Sequence, residues 1–376
     1  MSSLSEEVRD LRSPVTVWMR KTFPHHQGVQ AGFRLAAGEQ LLVKPPDVAA
    51  STQGSAIDWW LRMLVDDAVS LTLPRLGLLR RGPWLAAGTE LLADLASDGQ
   101  AADAPPRSSV MRPARFSARS DEWWARVSYA LALLAELYRA LSVTGSRLMQ
   151  LTPTSTSGDL LALANDAEVA DLIAMKDLAT ENLFPLLSAG PVATGMTFEG
   201  SQYLNADADL IVDGTLVDFK AGQGRRPRLD GRRTAKLDRS ELDQLLGYAL
   251  LDYDDEYKLH TVAVYAARYG YLAAWPLTKL CNVMAGRQVD LAQLRSEFAG
   301  VLRRDLPRYW SSSRTRRLPP SAVHLERRRS TVVVADLPPT LNAAVHPLLL
   351  EETRRRTAHL ENYLVEFLLP GEAVIY

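Results

Sequence analysis

Cysteine is nearly absent: Cys281 is the only one in 376 residues. That excludes an intramolecular disulfide framework, a four-cysteine zinc site and a cysteine-ligated iron–sulfur cluster within the chain. Any metal must then be held by oxygen or histidine. Net charge is also lacking, since 43 Lys and Arg against 44 Asp and Glu leave −1. Contact with a polyanion therefore has to come from local basic clusters, not from the field of the whole molecule. No apolar run reaches the roughly 20 residues of a membrane span, and the first residues, MSSLSEEVRDLR, are polar. The expectation is a cytoplasmic protein without membrane contact. No Walker A pattern occurs, so any helicase or ATPase working with this chain is a separate subunit. Internal repeats are missing too. What is present is a hydrophobic fraction of 47%, enough for one large domain with additions, or for two domains.

The texture changes along the chain. Residues 1–190 read as mainly helical. Ser13 to Phe23 has a Ser cap and Pro at the first helical position, and the piece from Pro24-His25-His26 to Pro46 reads as irregular. The two histidines are taken as solvated loop. From Gln53, apolar residues at Ile57, Trp60, Leu61, Leu64 and Val65 fit a packed helix. A further helix spans Asp121 to Leu141, Ser97 to Ser109 reads as a surface loop, and Glu168, Asp177 and Glu181 as exposed helix positions. Residues 191–300 turn to strands and hold the core of the chemistry. Residues 301–376 form a basic linker and a C-terminal helical extension, with a short strand near Thr331 and a helix over Thr340 to Leu364. Its arginines, interleaved with Tyr309 and Trp310, make either a phosphate-binding arm or an Arg-rich linker.

The chemistry gathers in ADADLIVDGTLVDFKA, Ala206 to Ala221. Asp209 opens one strand, Asp213-Gly214 is a hairpin turn, and the second strand carries Asp218 and Lys220 two apart on one face. An antiparallel return lays them beside Asp209. Two carboxylates suit a hard cation such as Mg²⁺, or Mn²⁺, which keeps waters and accepts phosphate oxygens. The backbone carbonyl of Phe219 is a further candidate ligand, and Lys220 can orient or help deprotonate an attacking water. Asp207 and Asp213 read as flanking or turn residues. Immediately after comes a basic run with Arg225, Arg226, Arg228, Arg232, Arg233 and Lys236, which is either a solvated loop or a contact to nucleic acid. A helix then begins with a Ser240 cap and sets Gln244 and Tyr248 on one face. The turn Asp252 to Lys258 reads as solvated, and strands follow over Leu259 to Ala267 and from Tyr271.

An Asp opening one strand and Asp-x-Lys on the next resembles the PD-(D/E)XK nuclease superfamily. The Gln244-x-x-x-Tyr248 helix is similar to that of its RecB-like branch. The resemblance implies an α/β fold, with a mixed-sheet core flanked by helices and a large helical insertion. It also implies a metal-dependent nuclease acting on DNA, in repair, recombination or phage defence. Gln244 and Tyr248 would orient substrate or metal. An upstream G-x-x-x-H helix in that branch supplies a metal ligand. Here Gly54 is followed by Asp58 in the His place, and Asp58 becomes a candidate ligand with Glu199 as its rival. The iron–sulfur cysteines of some members cannot be built. An RNase, or a catalytically silent nucleic-acid-binding or assembly subunit with the same fold, is the alternative.

Overall fold

The computed structural model describes residues 3–39, 41–45, 50–66, 69–100, 119–139, 143–188, 190–225, 232–317, 330–333, 367–368 and 372–375. In chain order the helices are α1 (Leu4–Glu7), α2 (Pro14–Thr22), α3 (Gln27–Ala37), α4 (Ala50–Val65), α5 (Thr72–Leu78), α6 (Leu85–Gln100), α7 (Asp121–Arg139), α8 (Ser157–Leu161), α9 (Asp166–Asn182), α10 (Arg239–Leu251), α11 (Leu277–Ala285), α12 (Leu291–Gly300) and α13 (Leu306–Arg317). The strands are β1 (Val192–Thr197), β2 (Asp207–Val212), β3 (Thr215–Lys220), β4 (Thr261–Ala266), β5 (Tyr271–Pro276), β6 (Ser330–Val333), β7 (Phe367–Leu368) and β8 (Glu372–Ile375).

The chain divides into two compact units. One comprises Met1–Val69, Ala101–Tyr129 and Ala164–Leu306, the other Ser70–Gln100, Ala130–Leu163 and Pro307–Tyr376. The second unit contains α5, α6 and α8 and a small antiparallel sheet in the order β6-β8-β7. In it, α5 and α6 bury Leu76, Leu78, Leu91 and Leu92.

The first unit is mixed α/β: a five-stranded sheet in sequence order, flanked by helices. Only β3 and β4 run parallel; the other neighbours are antiparallel. The β2–β3 hairpin turns on Asp213 and Gly214, both at positive φ (47° and 70°). That is the pairing a two-residue primed turn requires, and Asp-Gly supplies it cheaply. The parallel pair needs a crossover, provided by the loop after β3 and by α10, which is buried nearly throughout from Leu242 to Leu251. Both faces of the sheet are covered: Leu210 and Val217 line one, Leu216, Val262 and Val264 the other, and these and Leu245 of α10 are fully enclosed. Their transfer from water is the main stabilising term of this layer.

Several local expectations are corrected. The supposedly irregular piece after Pro24 holds α3, which buries Val29 and Phe33 four residues apart, with Phe33 edge-on to Tyr271 at 5.7 Å. Gly28 and Gly32 had hidden it by lowering helix propensity. Glu168 is not exposed but fully buried: it closes the capping box with Asn165 that starts α9, and its Oε1 accepts the Tyr129 hydroxyl at 3.1 Å. Asp177 and Glu181 do face solvent. Asp238, with Glu241, caps α10, and Ser240 lies inside the helix. The acidic turn after α10 is also less solvated than its composition implies. Arg295 reaches both Asp252 (3.3 Å) and Asp255 (2.9 Å), and Asp252 is fully buried. Helix α6 runs through Ser97 to Gln100; the rest of that expected loop, and the helix expected over 340–364, lie outside the described residues. Within the arginine-rich segment, Arg303 to Arg317 is helical, running through a π turn at Val301–Asp305 into α13, while Arg327 to Arg329 lie outside the described residues. Among the described residues, no helix is long and apolar enough to cross a membrane.

Candidate active site

At the Asp209 end of the hairpin, β2 and β3 part. Their register runs Val212↔Thr215, Ile211↔Leu216, Leu210↔Val217 and stops there, while β3 continues along β4 to Lys220↔Ala266. The Phe219 amide, left without a strand partner, instead donates to Asp209 Oδ2 at 2.7 Å. The Lys220 carbonyl accepts from Ala267 on the β4 side. Because successive residues of a strand point their backbone groups to alternate sides, the Phe219 carbonyl faces the gap next to Asp209.

Asp218 is almost fully enclosed, 2% exposed, and forms an ion pair with Lys220 at 2.7 Å. The contact lacks the angles of a hydrogen bond, so Asp218 Oδ2 keeps acceptor capacity for another ligand. Burial pushes the Asp218 carboxyl up to about 7, and the Asp209 charge adds to this while Lys220 opposes it. For Lys220 burial works against the charged form, but Asp218 and Asp209 outweigh it, so its pKa lies above the ordinary lysine value. The ammonium is also held by Gln244 Oε1, at 3.1 Å. Gln244 Nε2 in turn donates to the Tyr248 hydroxyl at 2.6 Å and to Ser5 Oγ at 2.9 Å. Tyr248 stacks on Phe198 at 6.2 Å, and its phenol is pushed well up by burial and by Asp218 and Asp209.

Helix α4 reaches the same place. It passes the end of β3 at Gly54, where a Cβ would stand 4.0 Å from that of Ala221. One turn on is Asp58, and another turn on is Arg62, for which the sequence pattern carried no signal beyond its spacing from Asp58. The Arg62 guanidinium forks onto Asp58 (Nε to Oδ1 2.7 Å, Nη2 to Oδ2 2.5 Å), and Nη2 also donates to Asp209 Oδ1 at 3.0 Å. Burial raises the Asp58 carboxyl, Arg62 opposes this, and Asp209 adds to it. Arg62 is strengthened as a cation by Asp58, Asp209 and Asp207 against the cost of its own burial. Asp207 thus acts as a flanking charge. Of the two rivals for a third acid, Asp58 is joined to Asp209 through Arg62, whereas Glu199 is exposed and its charge acts on Tyr253.

Behind this cluster lies a second buried network that composition alone did not reveal. Arg268 makes a two-pronged pair with Asp171 (2.6 and 2.9 Å) and donates from Nε to the Ala221 carbonyl at 2.8 Å, one residue beyond Lys220. Gln53, next to Gly54, donates to Asp171 at 2.8 Å. The network clamps α4, α9 and the end of β3 together.

The basic loop after β3 is pinched at its base. Arg225 N–H donates to the Thr234 carbonyl at 2.9 Å, and the Tyr269 hydroxyl donates to Gln223 O at 3.0 Å. Arg225, Arg232 and Lys236 are exposed, with Lys236 beside Asp238 at 2.8 Å; Arg233 is partly covered. Arg226 and Arg228 lie outside the described residues. His26 is engaged by Arg239, its Nδ1 2.7 Å from Nη1, far in sequence from the carboxylates.

Asp209, Asp218 and the Phe219 carbonyl suit the two-carboxylate mode in which Mg²⁺ is commonly held with water and phosphate completing the shell. Both oxygens of Asp58 accept from Arg62, and those of Asp209 are engaged as well, Oδ1 by Arg62 and Oδ2 by the Phe219 amide. Among the described residues, no three of His, Cys, Asp and Glu stand close enough together to hold a metal ion by themselves. Comparison with family models, with curated proteins and with solved structures gives no match to this chain.

Proposed function

We propose that the chain is a metal-dependent nuclease of the PD-(D/E)XK type that hydrolyses phosphodiester bonds, in DNA in the first instance. The supporting observation is a convergence. Asp209, Asp218, Lys220, Gln244 and Tyr248 come from three elements and meet where β2 and β3 separate, joined by the Lys220–Gln244–Tyr248 chain. A surface pair of charges on an edge strand would show none of that enclosure.

Asp209, Asp218 and the Phe219 carbonyl would hold Mg²⁺ or Mn²⁺. The bound ion supplies Lewis-acid polarisation of the phosphodiester and neutralises charge on the leaving oxygen. Lys220, a cation held by Gln244, orients the attacking water against the phosphorus and offsets developing charge. Gln244 fixes the direction of that ammonium, and Tyr248 and Ser5 fix Gln244. The exposed Arg225, Arg232 and Lys236, with Arg233, place positive charge on the segment directly after β3, where they can neutralise backbone phosphates.

One observation favours a second reading, a nucleic-acid-binding or assembly subunit without turnover: Arg62 already gives Asp209 and Asp58 a positive partner. The deciding experiment incubates the purified protein with single- and double-stranded DNA and RNA, with Mg²⁺, Mn²⁺ or chelator, beside Lys220→Ala. Metal-dependent cleavage that disappears in the variant, with nucleic-acid binding retained, supports the nuclease. Binding without cleavage in either protein supports the silent subunit.

A further inference from the structure

We propose that Arg62 is a resident cation of the site and that its guanidinium and a divalent metal compete for Asp209. The inference deepens the proposed function and rests on its metal site.

The seat of Arg62 is built on three sides. Asp58, one helical turn earlier on α4, receives the guanidinium in a fork, the geometry in which arginine binds a carboxylate most specifically. Asp209, from β2, accepts its Nη2. The third side is β1. The β1–β2 register sets Thr194 against Leu210 and Met196 against Ala208, so Gly195 falls opposite Asp209. Gly195 has φ of 57°, and a Cβ built on it would stand 2.8 Å from Arg62 Nη1. The strand therefore leaves out a side chain where the guanidinium lies. Only 6% of the Arg62 side chain is exposed.

Enclosed carboxylates require a positive partner. In the free protein Arg62 serves Asp58 and Asp209 together, which makes the acid cluster compatible with a folded chain before any metal arrives. A divalent ion taking Asp209 Oδ1 has to displace Nη2 from that oxygen. Arg62 can yield it without leaving the site, because the fork to Asp58 uses Nε and Nη2 on the other carboxylate. Metal affinity is then set by an exchange of cations and not by an open cage, and Asp58 acts as the anchor that retains the displaced guanidinium.

The test is Mn²⁺ binding to the full-length protein, measured by titrating free Mn²⁺ with electron paramagnetic resonance, together with melting curves in Mn²⁺ or chelator. Arg62→Met is expected to bind Mn²⁺ about tenfold or more tightly than the wild type, the equivalent of removing one charge-assisted hydrogen bond from the competition. Its melting temperature should fall in chelator and recover with Mn²⁺ more than that of the wild type. Arg62→Lys, which keeps a charge but not the fork, guards against misfolding of the Met variant and should fall between the two. Adding Asp209→Asn to Arg62→Met should remove the gain. Equal Mn²⁺ affinity in wild type and both Arg62 variants overturns the exchange while leaving the nuclease reading to the cleavage assay. A gain that survives Asp209→Asn also overturns it, because the metal would then sit elsewhere. Absence of Mn²⁺ binding in all variants overturns both the exchange and the metal-dependent reading.

Discussion

Nζ of Lys220 lies 3.1 Å from Oε1 of Gln244, and this hydrogen bond ties the end of β3 to the first turns of α10. Gln244 works through Lys220, as a positioning residue. Gln244→Ala is expected to lower kcat for cleavage roughly ten- to a hundredfold, the usual effect of losing an orienting partner, with KM little changed. Gln244→Glu, which keeps an acceptor in place, should recover part of the loss. A rise in KM with kcat unchanged would assign Gln244 to substrate binding instead.

Asp218 gives the metal-free protein a distinctive pH dependence. Its folded-state pKa is raised from 3.8 to about 7, chiefly by burial. The folded state therefore holds a proton that the unfolded state has lost, and stability falls as pH rises between about 4 and about 7. Asp218→Asn removes the titrating group. It should make the profile shallower in that window, the raised Asp58 carboxyl leaving a residual slope of the same sign, as measured by urea denaturation in chelator.

The Asp171–Arg268 pair predicts a stability effect separate from chemistry. Both side chains are enclosed, and removing one leaves the other charge without its partner. Arg268→Met should cost about 3–5 kcal/mol in chemical denaturation. Arg268→Met with Asp171→Leu should recover much of it, because two apolar side chains leave no orphaned charge.

Replacement of Gly195 bears directly on the site. Gly195→Ala places a side chain at positive φ and against Arg62 Nη1. A loss of about 1–3 kcal/mol in thermal stability is expected. A neutral result would show that β1 can move away from Arg62.

For the basic loop, changing Arg225, Arg232, Arg233 and Lys236 together to Ala should weaken DNA binding with no effect on folding. The slope of log K against log salt should fall by about 0.9 for each duplex phosphate that is no longer neutralised. An unchanged slope would mean that the loop is solvated and touches no phosphates.

Much of the hairpin was legible from the chain alone. Asp-Gly sets the turn, alternation sets the faces, and those two together put Asp218 and Lys220 on one side and Asp209 at the opening. Gln244 and Tyr248 were legible as a pair because a helix brings residues four apart together. These are local rules, each acting over a few residues. The change from helix to strand near residue 190 was legible as texture, while the mixed-sheet α/β class came only with the resemblance; α3 was not legible, since its glycines mask a pattern that only packing on Tyr271 completes.

Local sequence rules thus dictate which side chains share a strand face or a helix face, while packing of the whole chain selects which faces meet. Arg62 could be read as an i+4 partner of Asp58, but its bond to Asp209, 147 positions away, exists only because α4 crosses the gap between β2 and β3 and because Gly195 leaves space there. Arg268 and Asp171 likewise find each other only through burial, where an unpaired charge is too costly to persist. Local periodicity carries no record of such long-range pairings, because they are selected by the desolvation of the folded interior.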